Sequence, residues 1–176
     1  MTHERRSRGR GEKPARRRAG FTLVELLITT FVIAIATAIV MPMLGANDAT
    51  YVDTGVSLMV ADMDYAQSTA INNPNEMALV CFDPANDRWW VAPESTPATP
   101  YTKQYSGEPY DTTLGVGRAE FALGVTFTLT NVSADQIAYN AYGQLKQTLN
   151  PSVTLTRGQV VQTITVDAET GFLAVN

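Results

Sequence analysis

The sequence has one cysteine, Cys81, and one histidine, His3, and each scarcity excludes chemistry. A single thiol cannot close an intramolecular disulfide or build a multi-cysteine metal site. Set in the apolar run ALVCF, it reads as a small buried residue. Because His3 lies in the N-terminal head, the remainder of the chain has no histidine base, no Ser/His/Asp or Cys/His set and no His-containing metal site. There is no GxGxxG or P-loop pattern, so nucleotide binding and motor activity have no support. The acids Asp83, Asp87, Glu94 and Asp111 follow no order that singles out a catalytic pair and read as solvated turn residues. No cofactor is expected, and the chain does not read as an enzyme.

Positive charge is scarce after residue 20. The 176-residue chain has 13 Lys and Arg against 17 Asp and Glu, a formal net charge of -4. Eight of those cations and only Glu4 and Glu12 fall in residues 1–20, so the head carries 8 - 2 = +6 and the rest 5 - 15 = -10. A basic head on an acidic body is the pattern of a segment handled separately, by an anionic membrane surface or a processing system. The hydrophobic content of 45% is that of an ordinary folded protein, and the length allows one modest domain plus an anchor.

Residues 21–44, FTLVELLITTFVIAIATAIVMPML, contain no Gly and a single charge, Glu25. At 1.5 Å rise per residue, about 20 apolar residues cross a bilayer core of roughly 30 Å, so the segment can span a membrane. The arginines before it hold the N-terminus in the cytoplasm and send the body outward. A secretory signal shares the basic-then-apolar order, but its apolar region is shorter, Leu44-Gly45-Ala46 is a poor cleavage site, and it gives no reason for an internal acid. A plain single-pass anchor leaves Glu25 equally unexplained, since an acid well inside a membrane costs about 2.5–3.5 kcal/mol on insertion scales.

Gly20-Phe21-Thr22-Leu23-Val24-Glu25-Leu26, behind its basic leader, resembles the type IV prepilin processing motif. The resemblance implies that a prepilin peptidase cuts after Gly20, that Phe21 becomes a methylated N-terminus, and that Glu25 serves assembly. The electrostatics of that role are plain. Cleavage creates an amine at Phe21, and in a stacked filament Glu25 of one subunit can meet the Phe21 amine of its neighbour, pairing two charges that would each be costly in lipid. Pro42, near the outer end of the span, permits a helix break or simply ends the membrane segment.

After the turn signals at Gly45-Ala46-Asn47-Asp48, Val52, Val56, Met59, Val60, Met63, Ala66 and Ala70 recur at three- and four-residue steps, with Asp53, Asp62, Asp64 and Gln67 assigned mostly to the other side. This is an amphipathic helix that Asn72-Asn73-Pro74-Asn75 ends. Strand patterns follow at 77–83 and 88–92, joined by a Pro84–Asp87 hairpin turn, then at 120–130, 137–142, 152–156, 159–166 and 172–175. A long irregular excursion is expected at 93–118, and a hairpin at Asp167–Gly171.

The order resembles the H-type pseudopilins of type II secretion and their minor-pilin relatives. It implies an α+β, pilin-like fold, with a long N-terminal helix, transmembrane in its first half, packed on an antiparallel β-sheet. The organisation expected is a leader at 1–20, a transmembrane helix at 21–44, its amphipathic continuation at 45–73 and a β-rich periplasmic domain at 74–176 of a bacterial inner-membrane protein. The later part of the resemblance rests on Gly143, Gly171 and apolar spacing; relatives carry Arg where Gln67 and Phe172 stand. Implied partners are the prepilin peptidase, other pilins or pseudopilins, inner-membrane lipid and a secreted cargo.

Calcium, bound by some major pseudopilins, would need Asp83, Asn86 and Asp87, or Asp167 and Glu169; neither group has EF-hand spacing, and both sit at hairpins that favour such residues. DNA, bound by some minor pilins, would need clustered cations, and Arg88, Lys103, Arg118, Lys146 and Arg157 are scattered among fifteen acids. Trp89 and Trp90 offer a stacking platform, but on a strand they point to opposite faces and at least one belongs to the core. The function expected is that of a minor pseudopilin assembled through its N-terminal helix, with a ligand-binding pilus-tip protein or a non-assembling anchored domain as alternatives.

Overall fold

The computed structural model describes residues 21–176, and of 39–46 the backbone alone. The chain divides at Met41 and Pro42 into two compact units. Helix α1, Leu23–Asn72, supplies the described part of the first unit and enters the second. The helical assignment runs across Pro42, where the backbone has no N–H to donate, and the side chain on which a break was expected lies outside the described residues.

In the second unit, eight strands form two four-stranded antiparallel sheets instead of the one expected. The first, in order β3-β2-β1-β5, comprises β1 (Ala78–Asp83), β2 (Arg88–Pro93), β3 (Asp111–Thr113) and β5 (Gln136–Tyr139). The second, in order β4-β6-β7-β8, comprises β4 (Thr126–Thr130), β6 (Ser152–Arg157), β7 (Val160–Val166) and β8 (Leu173–Val175). Both expected hairpins form. At the first, Pro84–Asn86 makes a 3-10 turn and Asp87 takes the left-handed conformation, φ 47°, before β2 pairs back onto β1. At the second, the Asp167 carboxylate accepts the backbone N–H groups of Glu169 and Thr170 and the Thr170 hydroxyl.

Period-two alternation decides what faces inward. Val80, Phe82, Trp89, Val91, Ile137 and Tyr139 from the first sheet meet Phe127, Val153, Leu155, Ile164 and Val166 from the second. Val52, Val56, Met59, Met63, Ala66 and Ala70 of α1 complete this core. Phe127 joins the sheets, meeting Phe82 and Trp89 edge-on at centroid distances of 5.9 and 6.2 Å.

The excursion after β2 explains why β1 is apolar on both faces from Ala78 to Phe82. Leu79 and Cys81 face away from the helix yet are buried. The Trp90 indole N–H donates to the Pro97 carbonyl at 2.7 Å, and the Cys81 thiol lies 3.7 Å from the same oxygen, so the segment after Pro93 straps the outer face. The strand expected at 120–130 is shorter than its apolar pattern. Gly117–Ala122 forms 3-10 turns that bury Ala119 and Ala122, and extended pairing begins only at Thr126.

Candidate functional site

The N-terminus of α1 is built by Thr22 and Glu25. The Glu25 backbone N–H donates to the Thr22 hydroxyl at 3.2 Å, and the Glu25 carboxylate accepts from the Thr22 N–H at 3.4 Å. This reciprocal arrangement is a capping box, which satisfies helix-end donors that have no partner one turn back. Phe21 is exposed and precedes the cap directly; Gly20, the expected cleavage residue, lies outside the described residues. Among the described residues Glu25 has no cationic partner, which leaves its charge available to a group from outside the subunit.

From Leu23 to Ala38 every side chain is exposed, on all sides of the helix. Leu23, Leu26, Leu27, Ile28, Phe31, Val32 and Ile33 are each more than half exposed. The polar side chains in this stretch are turned inward on their own backbone. Thr29 donates to the Glu25 carbonyl at 3.0 Å, Thr30 to that of Leu26 at 3.0 Å and Thr37 to that of Ile33 at 2.8 Å. A helix apolar all round with its hydroxyls internally satisfied is matched to lipid or to other apolar helices. Among the described residues no helix is long and apolar enough to cross a membrane, and the segment expected to span, 21–44, extends beyond Ala38 into side chains outside that description.

In the second unit, Asp62 corrects the sequence reading. Assigned to the polar side of the helix, it is 2% exposed. Its carboxylate accepts from the Trp89 indole at 2.8 Å and from the Thr112 hydroxyl at 3.2 Å, and pairs with Arg118. Arg118 also donates to Thr112. The signal was present: Asp62 stands three residues after Met59 and four before Ala66, on the apolar stripe itself. An acid there needs a buried partner, and the cluster ties the 111–118 segment to the helix.

Arg118 is not a special case. Each of the five Lys and Arg residues after position 20 pairs with a carboxylate: Arg88 with Asp111 at 2.6 Å, Lys103 with Glu108 at 3.6 Å, Lys146 with Glu94 at 3.0 Å, Arg157 with Asp48 at 2.9 Å, and Arg118 with Asp62. Trp89 is fully buried, and Trp90 lies under the Arg88 guanidinium and the 93–100 strap. Neither the cations nor the indoles form an open basic, aromatic surface for nucleic acid.

The calcium candidates are engaged locally. Asp83 accepts from Asn86 at 2.7 Å, and Asp87 accepts the Phe127 N–H at 3.3 Å. The Thr170 hydroxyl and backbone bonds hold the Asp167 carboxyl below its usual value. Among the described residues, no three His, Cys, Asp or Glu side chains gather into a metal-holding group.

Gly143 and Gly171, singled out by the resemblance, meet at Gln67. The Gln67 side-chain amide donates to the Gly143 carbonyl at 2.9 Å and the Thr170 carbonyl at 3.3 Å. Both glycines have positive φ, 76° and 72°. A Cβ on Gly171 would overlap the Gly143 carbonyl and the Gln67 amide, so the two loops can close on the helix only without one. Sequence reasoning marked the three positions separately; their meeting needed the fold.

Comparison with known proteins gives the N-terminal segment a definite match. Residues 15–41 match the family model described as the prokaryotic N-terminal methylation motif. No curated protein matches the chain. Similar solved structures include the type IV minor pilin FimU of Pseudomonas aeruginosa, at 9% identity and TM-score 0.47 over 70% of this chain and 90% of that one. The minor pseudopilin EpsH of the Vibrio cholerae type 2 secretion system is similar at 15% identity and TM-score 0.48, over 70% of this chain and 95% of that one.

Proposed function

We propose that a chain carrying this N-terminal methylation motif is a structural subunit, a minor pseudopilin or minor pilin of a type II secretion or type IV pilus machine, and not an enzyme. The observation that carries the reading is the motif itself, over residues 15–41. Prepilin peptidase removes the leader between Gly20 and Phe21, Phe21 is methylated, and the helix anchors the subunit in the inner membrane until it is drawn into a filament among other pilins. The exposure of every side chain from Leu23 to Ala38 supports this, because such a surface requires lipid before assembly and neighbouring helices after it.

Glu25 has two tasks in this account. Its carboxylate caps its own helix through Thr22, and its charge meets the Phe21 amine of the adjoining subunit. A misplaced neighbour leaves that charge unpaired in an apolar surround, so the pair enforces register more than it adds stability. Pro42 supplies a position where the helix can give way on assembly. The body offers surface to neighbouring subunits and to cargo, and its five paired cations favour protein contacts over nucleic acid.

Mass spectrometry of the mature N-terminus tests the reading. Methylated Phe21 is the expected result. An intact leader in cells with active peptidase, or cleavage near Ala46, would overturn it.

A further inference from the structure

One apolar feature of the body serves neither its core nor the Asp62 cluster. The 3-10 turns at Gly117–Ala122 carry Phe121, 65% exposed, and are followed by Leu123, 62% exposed. Phe121 borders a cavity of about 320 Å³ against Asn47, Thr50, Tyr51 and Thr54. Leu123 is held beside the same helix segment through Arg157, which donates to its carbonyl, pairs with Asp48 at 2.9 Å and lies 3.7 Å over the Tyr51 ring.

The chain itself says what lies near this patch. Asn47 follows Leu44, the last residue of the apolar run, by three residues, which reach at most about 10 Å even when fully extended. Whatever the angle between the two units, Asn47 is therefore held within the depth of the lipid headgroup layer and its immediate border. The composition fits that depth. Two exposed apolar side chains sit beside a tyrosine and an arginine, residues whose apolar bodies and polar tips suit the boundary between hydrocarbon and water. Asp48 neutralises Arg157, and Glu120 and Asp53 lie close in sequence, so attraction to anionic lipid is not what would hold the turn there.

We propose that the Phe121–Leu123 turn, together with Tyr51 and Arg157, is a lipid-contacting surface that seats the body on the membrane holding its anchor. The inference rests on the membrane anchoring proposed above. Insertion of two apolar side chains is too weak to bind a free body to lipid, but it suffices to orient one already tethered. The seated subunit would present one side to incoming partners, and release of the turn from lipid would accompany its extraction.

The full chain, with Cys81 replaced by Ala, can be reconstituted in phosphatidylcholine vesicles containing nitroxides at two depths, one near the headgroup to read positions 121 and 142 and one at mid-chain to read position 32. Single cysteines introduced as Phe121→Cys, Tyr142→Cys and Val32→Cys carry an environment-sensitive fluorophore. Tyr142 is the remote control: it is exposed and adjoins Gly143, beside Gln67, about 30 Å along the helix from Asn47. The expected result is lipid-dependent quenching at 121 at least about threefold stronger than at 142, unchanged by added phosphatidylglycerol. Quenching at 32 with none at 121 would overturn the seating while leaving anchoring intact. No quenching at 32 would overturn anchoring and the seating with it. A blue shift at 121 that appears only as protein per vesicle rises, without lipid quenching, would assign the turn to a neighbouring subunit and overturn the lipid contact.

Discussion

Replacing Gly171 by alanine tests whether the meeting of two loops on the helix carries stability. Two costs can be separated. The backbone at φ 72° disfavours any Cβ by about 1–2 kcal/mol. The added methyl would also overlap the Gly143 carbonyl, a backbone atom that cannot rotate aside, and displacing it adds about 1–3 kcal/mol. Gly171→Ala should therefore cost about 2–5 kcal/mol. Gly107→Ala isolates the first term, because Gly107 has nearly the same φ, 70°, with nothing within 4 Å of the place a methyl would take. Urea unfolding of the full chain in detergent, followed through the buried Trp89 and half-buried Trp90, measures both as midpoint shifts at constant slope. Adding Gln67→Ala removes the amide from the crowded site and should make the pair non-additive by about 0.5–3 kcal/mol. If Gly171→Ala were no worse than Gly107→Ala, the close approach would carry no energetic weight and the reasoning would fail.

Asp62→Ala leaves the Arg118 charge and the Trp89 N–H without their acceptor and should destabilise the body by about 3–5 kcal/mol, with Asp62→Asn milder, both measured by the same unfolding assay. Burial pushes the Cys81 thiol up to about 11, so at pH about 9, where exposed thiols are largely ionised, folded Cys81 should react slowly with iodoacetamide until denaturant is added. The sign follows: as pH rises from the unfolded thiol's range towards 11, the unfolded state ionises first and folding weakens. For Glu25, Glu25→Gln keeps an acceptor for the Thr22 N–H but removes the charge, while Glu25→Val removes both. Both variants should insert and fail to co-assemble with partner pilins; normal co-assembly of the Gln variant would reduce Glu25 to a helix cap.

The elements most legible in the sequence were those whose pattern and burial agree. The 52–70 stripe, the paired strands 78–83 and 88–93 and the 167–171 turn each combine periodicity with a turn residue that permits one geometry. Asp62 was misplaced because residue type outweighed helical phase; its phase was right and its partners lay 27 and 56 residues away. The run 120–130 read as one strand because Phe121, Leu123, Val125 and Phe127 alternate, yet only the last two are buried. Gly124, at φ 74°, separates the exposed pair from the buried one. Two sheets were read as one because alternation gives an inward face without saying which strands share an edge. The capping box was written in Thr22-Leu23-Val24-Glu25, but the membrane cost of an acid points outside the subunit for Glu25's partner and away from its own helix end.

The pairing of every cation after residue 20 has a consequence for numbers of copies. With five cations each matched to an acid, the net -10 of this part of the chain resides in carboxylates that have no countercharge within it. Two such bodies brought within a Debye length, about 8 Å at physiological salt, repel, and neither has an unpaired Lys or Arg to offer the other. A row of identical bodies would accumulate that repulsion, whereas a neutral or basic neighbour would relieve it. The charge of this part of the chain thus opposes contact between two copies of it, and more strongly at low salt.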